Sequence, residues 1–274
     1  MTRTLQLSVE HVASLAVAAL HDEVELTPKP GLVDGRGPGA HSDMSAALLH
    51  DSADCLAAPL RECASAGAEL DVGPQLRARI GVIGRTGEAA MLSITRGVNT
   101  HRGALWALGL LSTAIGAGAT GITEIVGIAA TLARLPDPAV PPSPPISHGA
   151  LARRRYGASG AVGQAQSGFP VVTGHALPAL RTGGPLVALL ALMANLDDTC
   201  VLHRGGITGL IDVQRGARAV LDAGGPTTPA GTRRFDSLDR LCAERRLSPG
   251  GAGDLLAVTL FLDAVDGWSS PCKP

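Results

Sequence analysis

Apolar residues recur at helical spacing along most of this chain, and runs that alternate apolar with polar residues hardly appear. That pattern restricts the fold more than any other feature, because a helical period does not sit as a strand. From Ser8 to Val24 the residues Val12, Leu15, Ala16 and Leu20 share one helical face behind a Ser cap. Met44 to Ala66 follows Asp43 as a candidate cap, and Pro74 to Thr95 opens with a proline whose missing N–H does no harm there. Leu105 to Ile115, Ile122 to Leu135, Pro185 to Leu202, Thr208 to Ala223 and Gly253 to Val265 read as further helices. The expected fold is all-α: a single large multi-helix domain over residues 1–274 with Gly/Pro-rich active-site loops. Aromatics make up only 2% of the chain, so Ala, Leu, Val and Ile must pack the core.

Glycine (35) and proline (19) together form about a fifth of the residues, and they cluster. Pro136 to Pro145 reads as a Pro-rich surface linker between two helical halves. The other clusters interleave glycine with charged or polar residues, as binding loops do when backbone must approach a ligand. Gly103 to Thr123 carries no charge and is long enough to span a bilayer, but Gly116, Gly118 and Gly121 break it, so a buried helix and a turn are expected. Those glycines match G-x-G-x-x-G by chance, since no strand precedes them. Val12 to Leu20 resembles a signal-peptide core, yet Glu10 and His11 precede it and a charged motif follows, so it reads as a buried helix. The formal charge of −1 and the scarcity of aromatics argue against a nucleic-acid partner, and no membrane partner is expected. Five cysteines without a C-x-x-C pair fit a reducing, cytoplasmic setting.

Five segments carry chemistry. The first runs from Glu23 to Met44 and gathers Glu25, Lys29, Asp34, Arg36, His41 and Asp43 in a loop stiffened by prolines. It is either a solvated loop or one suited to metal-bridged phosphate, with carboxylates on a hard cation and Lys and Arg on the oxygens. The second, Gly97 to Gly103, offers Asn99 or Thr100 as a helix cap, with His101 and Arg102 beside free N–H groups as an anion site. The third spans Ser147 to Pro170. It contains Arg153, Arg154 and Arg155, of which at most two can face one ligand, and Tyr156 and Phe169 as weak candidates for base stacking. The fourth, Leu196 to Gly206, holds Asp197, Asp198, His203 and Arg204 after an apolar helix. Adjacent carboxylates there call for magnesium or for an internal Asp197–Arg204 pair. The fifth, Ser248 to Asp254, opens the last apolar helix, and Asp254 either favours the helix dipole or reaches the site.

These segments resemble the triphosphoribosyl-dephospho-coenzyme A synthase family. The carrying residues are Thr27 to Asp34 with Gly39 to Met44, Gly97 to Gly103, Gly168-Phe169-Pro170, Asp197-Asp198-Thr199 with His203 to Gly206, and Ser248 to Gly251. The resemblance implies a helical enzyme that joins the triphosphoribosyl group of ATP to the 2'-hydroxyl of 3'-dephospho-CoA and releases adenine. It implies Mg2+ as cofactor and a product consumed by a transferase that loads an acyl carrier protein. The stretch Ser147 to Tyr156 looks closer to the malonate decarboxylase branch than to citrate lyase. A homodimer is compatible with the sequence.

For that reaction, Lys29, Arg36, His41, Asn99, His101, Arg102, His203 and Arg204 are the candidates for substrate binding. Asp34, Asp43 or Glu25 is the candidate base, and Asp197 and Asp198 the candidate magnesium ligands. One departure stands out: the family's Arg-Gly-Glu-Ala is Val162-Gly163-Gln164-Ala165 here, with both charges lost. It motivates a competing reading, a non-catalytic ATP-binding relative. A magnesium-dependent nucleotide-ribose hydrolase and a helical adaptor are the others.

Overall fold

A computed structural model describes residues 7–140 and 148–269. The described residues form twelve α-helices and no strand. They are α1 (Val9–Glu25), α2 (Ala46–Cys55), α3 (Ala57–Glu69), α4 (Pro74–Ile94), α5 (Arg102–Gly116) and α6 (Ile122–Arg134) in the first half. In the second half come α7 (His148–Tyr156), α8 (Gly160–Gln166), a π-helical turn (Val172–Ala176), α9 (Leu177–Asn195), α10 (Thr199–Asp222), α11 (Pro229–Glu244) and α12 (Gly250–Ser269).

Helix α5, which carries no charge after Arg102, sits at the centre. Every residue from Ala104 to Ile115 except Trp106 is buried, as a helix apolar on all sides must be. It packs against α3, α4, α6 and α12. The last helix, α12, lies against α1 and α5 of the first half and α9 of the second, so one continuous core joins the two halves. The apolar stretch Val172–Asn195 has the length and composition of a membrane span. It bends at Gly184, just before Pro185, and packs on α10 and α12.

Several boundaries differ from the sequence reading. Met44 to Ala66 breaks at Leu56 into α2 and α3, and Ser45 rather than Asp43 caps α2 by accepting the Leu48 N–H. The sequence reading omits α11, although Phe235, Leu238 and Cys242 share one helical face, and α8 and the π turn lie inside what reads as a Gly-rich loop. The helix from Thr199 begins well before Thr208, with its kink at Gly206. The Pro-rich linker starts anchored: Asp137 is held by Arg77 and Arg85 of α4, while 141–147 lie outside the described residues.

Candidate active site

Three helix N-termini, those of α5, α10 and α12, meet around two carboxylates. Asp198 caps α10, its Oδ1 accepting the N–H groups of Cys200 (2.8 Å) and Val201 (3.3 Å). Its Oδ2 accepts the N–H of Ala252 in α12 at 2.9 Å. Asp254, further along the first turns of α12, accepts the N–H of Ala104 in the first turn of α5. Gly103 makes that approach feasible: a Cβ there would stand 2.2 Å from Asp254 Oδ2. Burial pushes the Asp254 carboxyl well above its ordinary range, and the charges of Glu23 and Asp198 add to the rise. Burial likewise raises Asp198, against the N–H bonds that favour its ionised form. Asp254 is half-buried.

The first loop reaches the same place. Lys29 is 1% exposed, and its ammonium donates to Glu23 Oε1 at 2.9 Å, to the Glu23 carbonyl and to the Val24 carbonyl. It thereby caps the C-terminal end of α1, where a cation is favoured. Asp34 holds the loop in shape: its carboxylate accepts the N–H groups of Lys29 (2.7 Å) and Arg36 (2.8 Å) and the Arg36 guanidinium. Burial works against its ionised form, but the Arg36 and backbone bonds hold the carboxyl below its ordinary value. Arg36 also pairs with Asp239 of α11 at 2.7 Å. Gly31, at φ 72°, lets this loop lie on the loop before α12, since a Cβ would meet the Leu247 carbonyl at 2.2 Å. Across that contact His41 Nε2 bonds Ser248 Oγ at 2.8 Å, and Arg204 donates to the Ala40 carbonyl and to His41 Nδ1. Asp43 is exposed, 3.7 Å from His41. Burial and Arg204 lower the proton affinity of His41, against the pull of Asp43.

The second segment brings His101, which is 4% exposed, to Ser52 of α2, with Nδ1 2.8 Å from Ser52 Oγ. Burial, and then the charge of Lys29, push this imidazole down to about 4, so it is neutral at physiological pH. Asn99 accepts the Arg102 N–H at 3.3 Å, while Thr100 bonds Ser52 instead of capping. Arg102 pairs with Glu88 of α4.

The structure therefore brings segments one, two, four and five into one region, and α7 of the third segment packs against α10. Arg153 lies near Thr199 across Gly160, half-buried, its guanidinium making no bond or ion pair among the described residues. Several sequence candidates receive other work. Lys29 and Arg36 are occupied by carboxylates, and His101 brings no positive charge. Asp34 has its oxygens taken. Asp197 is exposed and its carboxylate makes no bond among the described residues, and Arg204 bonds carbonyls and His41, not Asp197. His203 is exposed on the same helix. Glu25 is exposed and bonds His50 at 2.7 Å. Phe169 is fully buried and cannot stack on a base. Gln164, at the charge-loss position, is buried and its amide oxygen accepts the Val171 N–H at 3.4 Å. Sequence reasoning gives no role to Glu23 or Ser52 and does not bring Asp254 to α5. The one local signal is glycine at 103, 251 and 253, where two helix starts must approach carboxylates. A cavity of about 630 Å³ between α6 and the start of α9, lined by Ile122, Val126 and Leu177, shares none of these residues.

The family model of the ATP:dephospho-CoA triphosphoribosyl transferases matches residues 9–272. A protein of Stutzerimonas stutzeri (strain A1501), called "Probable 2-(5''-triphosphoribosyl)-3'-dephosphocoenzyme-A synthase", is 53% identical over 97% of this chain and 95% of its own length. Proteins of the same description from Azotobacter vinelandii (strain DJ / ATCC BAA-1303) and Pseudomonas putida are 51% and 53% identical over 94% and 93% of this chain, and 92% and 94% of their own lengths. No solved structure matches the chain.

Proposed function

The chain belongs to the ATP:dephospho-CoA triphosphoribosyl transferase family, and from that premise we propose that the region where α5, α10 and α12 begin holds the triphosphate of ATP. The enzyme transfers the triphosphoribosyl group of ATP to dephospho-CoA. In the reaction we assign, the 2'-hydroxyl of 3'-dephospho-CoA attacks the ribose C1, and the C1–N bond to adenine breaks with its electron pair leaving on the base. The observation that carries this reading is the meeting of three helix N-termini at Asp254 and Asp198. Helix starts attract phosphate, while the carboxylates repel it. A hard cation between them resolves that conflict, and the donor set is oxygen, as magnesium requires.

Asp254 would hold magnesium together with triphosphate oxygens, since no three His, Cys, Asp or Glu side chains among the described residues are grouped to hold a metal by themselves. Asp198 adds negative charge there, although its oxygens are already shared with backbone N–H groups. When bound, the ion would neutralise triphosphate charge. Arg204 and Arg153 supply side-chain cations, since neither is paired with a carboxylate. Asp43 is our choice of base. Of the three carboxylates the sequence offers, it alone is both exposed and free of a close hydrogen bond, with only His41 at 3.7 Å.

The hydroxyl proton and the proton that adenine gains balance, so the transfer needs no net acid. The downstream use we assign is loading of the acyl carrier protein of malonate decarboxylase, on the likeness of Ser147 to Tyr156. A cytoplasmic setting follows from the two substrates, and sedimentation would read the homodimer.

The test is adenine release followed by mass. The protein with ATP, Mg2+ and 3'-dephospho-CoA should give adenine and a product carrying the triphosphoribosyl group. Omitting dephospho-CoA should abolish both. Adenine or ribose phosphate formed without dephospho-CoA would instead identify a hydrolase.

A further inference from the structure

Helix α2 is tied on one side to α1 by a chain of four titratable groups. His21 Nδ1 and His50 Nδ1 stand 2.7 Å apart. Their ring centroids are 4.9 Å apart with planes at 24°, so the rings meet edge to edge, nitrogen toward nitrogen. His21 Nε2 lies 2.8 Å from Asp54 Oδ1, and His50 Nε2 lies 2.7 Å from Glu25 Oε1. The order is Glu25, His50, His21, Asp54.

Each hydrogen bond needs one hydrogen, and this chain has three bonds. Two ionised carboxylates bring none and two neutral imidazoles bring one each. A third proton is required. Without it, either two nitrogen lone pairs face each other at 2.7 Å or a ring lone pair faces a carboxylate. Both arrangements repel. The carboxylate ends are 73% and 69% exposed and the rings 29% and 30%, so solvent can exchange that proton. His101, just before α5, is within electrostatic reach of both rings, and Lys29 in turn acts on His101. Lys29 is compensated by Glu23. Among the described residues, α3, α4 and α12 give neither ring a hydrogen bond or ion pair.

We propose that His21 and His50 share one proton, and that this proton-bound pair is a positioning device for the transferase. The proposal rests on the family reading above. The other side of α2 carries Ser52, whose hydroxyl bonds Thr100 at 2.6 Å and His101 at 2.8 Å. His101 leads into α5, where Ala104 meets Asp254. The shared proton fixes the distance from α1 to α2, and Ser52 passes that placement to the start of α5. Loss of the proton sets the two rings against each other and shifts α2.

Nitrogen NMR of the intact protein at neutral pH tests the first half. A scalar coupling between the two Nδ1 atoms is expected, and its absence would overturn the proposal. Kinetics tests the second half. His21→Gln and His50→Gln should each lower kcat by roughly tenfold to a hundredfold, the cost of a small misplacement, and leave KM for ATP unchanged. Variants with wild-type kcat, or with KM for ATP raised in step with the fall in kcat, would overturn the positioning role. The coupling is read without substrate. A protein that shows it but releases no adenine at any pH would refute the family reading and leave the shared proton standing.

Discussion

Asp198 Oδ2 accepts the backbone N–H of Ala252 at 2.9 Å, so one side chain fastens the start of α12 to the start of α10. The same carboxylate caps α10 through Cys200 and Val201. Asp198→Ala leaves these buried donors unpaired. A lost cap costs about 1 kcal/mol, and an unsatisfied buried donor about 1–3 kcal/mol. Urea unfolding should therefore show a loss of about 2–4 kcal/mol, and turnover should fall with it. A loss below about 0.5 kcal/mol would mean that the two helix starts hold their places without Asp198.

Asp254 is destabilising where it is ionised. Its carboxyl is raised by burial and by Glu23, so the folded state binds its proton more tightly than the unfolded chain does. That stability is present in full below the ordinary carboxylate value and is lost as pH rises through the raised one. Asp254→Asn removes the loss. A tenfold tighter hold on the proton corresponds to about 1.4 kcal/mol, and each kcal/mol to about 2–4 °C in Tm for a chain of this size. The variant should melt higher than wild type at neutral pH, with the gap closing toward about pH 4, and should turn over at least about a hundredfold more slowly. Addition of Mg2+ should raise the wild-type Tm and leave that of the variant unchanged. Equal melting of the two proteins at neutral pH would remove the carboxyl from its strained place.

Arg153 and Arg154 are neighbours in sequence with different surroundings: Arg153 is half-buried near Thr199, and Arg154 is exposed. A charge-assisted hydrogen bond to phosphate contributes about 1.5–3 kcal/mol, or roughly tenfold to a hundredfold. Arg153→Ala and Arg204→Ala should each raise KM for ATP by that factor, and Arg154→Ala should change it less than about twofold. Initial rates against ATP concentration decide the matter. A larger effect at 154 than at 153 would put the triphosphate elsewhere.

The helices with strong apolar periodicity are legible in the sequence, and α1, α4, α5 and α6 begin and end close to where spacing and caps place them. The break at Leu56 has one mark, Pro59 in the first turn of α3, which a reading by apolar spacing alone runs through. The signals of α11 are present, a Thr228 cap, Pro229 and the spacing of Phe235, Leu238 and Cys242, but they are diluted by charged residues and follow a Gly/Pro cluster. In the site, the residue types are readable but their partners are not. Lys29 in a Pro-stiffened loop looks the same whether it awaits a phosphate or is buried against Glu23. Asp34 as base and Asp34 as loop staple likewise share one sequence. What separates them is which backbone donors face the carboxylate, a property of the folded loop. Asp254 and Ala104 lie far apart in the chain, and only the glycines beside them hint at a close approach.

The Lys29–Glu23 pair is almost fully enclosed, with side-chain exposures of 1% and 10%. Removing one member of such a pair strands the other charge, at about 3–5 kcal/mol. Lys29→Met should therefore lower stability by that amount, seen as a shift of the urea midpoint. The double variant Lys29→Met, Glu23→Gln should recover part of it, because no charge is then left buried. If Lys29→Met costs less than about 1 kcal/mol, solvent or another cation reaches Glu23 and the enclosed pair is not what closes α1.

His101 sets the acid limit of this region. Burial, with Lys29 next, lowers its imidazole from the ordinary 6.5 to about 4. The folded state thus binds fewer protons than the unfolded chain between those values. Its contribution is complete above about pH 6.5 and is lost as pH falls toward about 4, by about 3 kcal/mol in total. Asp198 and Asp254 act in the opposite direction, since their raised carboxyls gain stability on acidification. The difference between wild type and His101→Gln cancels those shared contributions. Denaturant titrations at steps from about pH 7 to about pH 4 should show wild type losing stability relative to His101→Gln by about that amount. Parallel curves would mean that the imidazole takes up its proton inside the fold, and Ser52 would then face a cation where the neutral ring is expected.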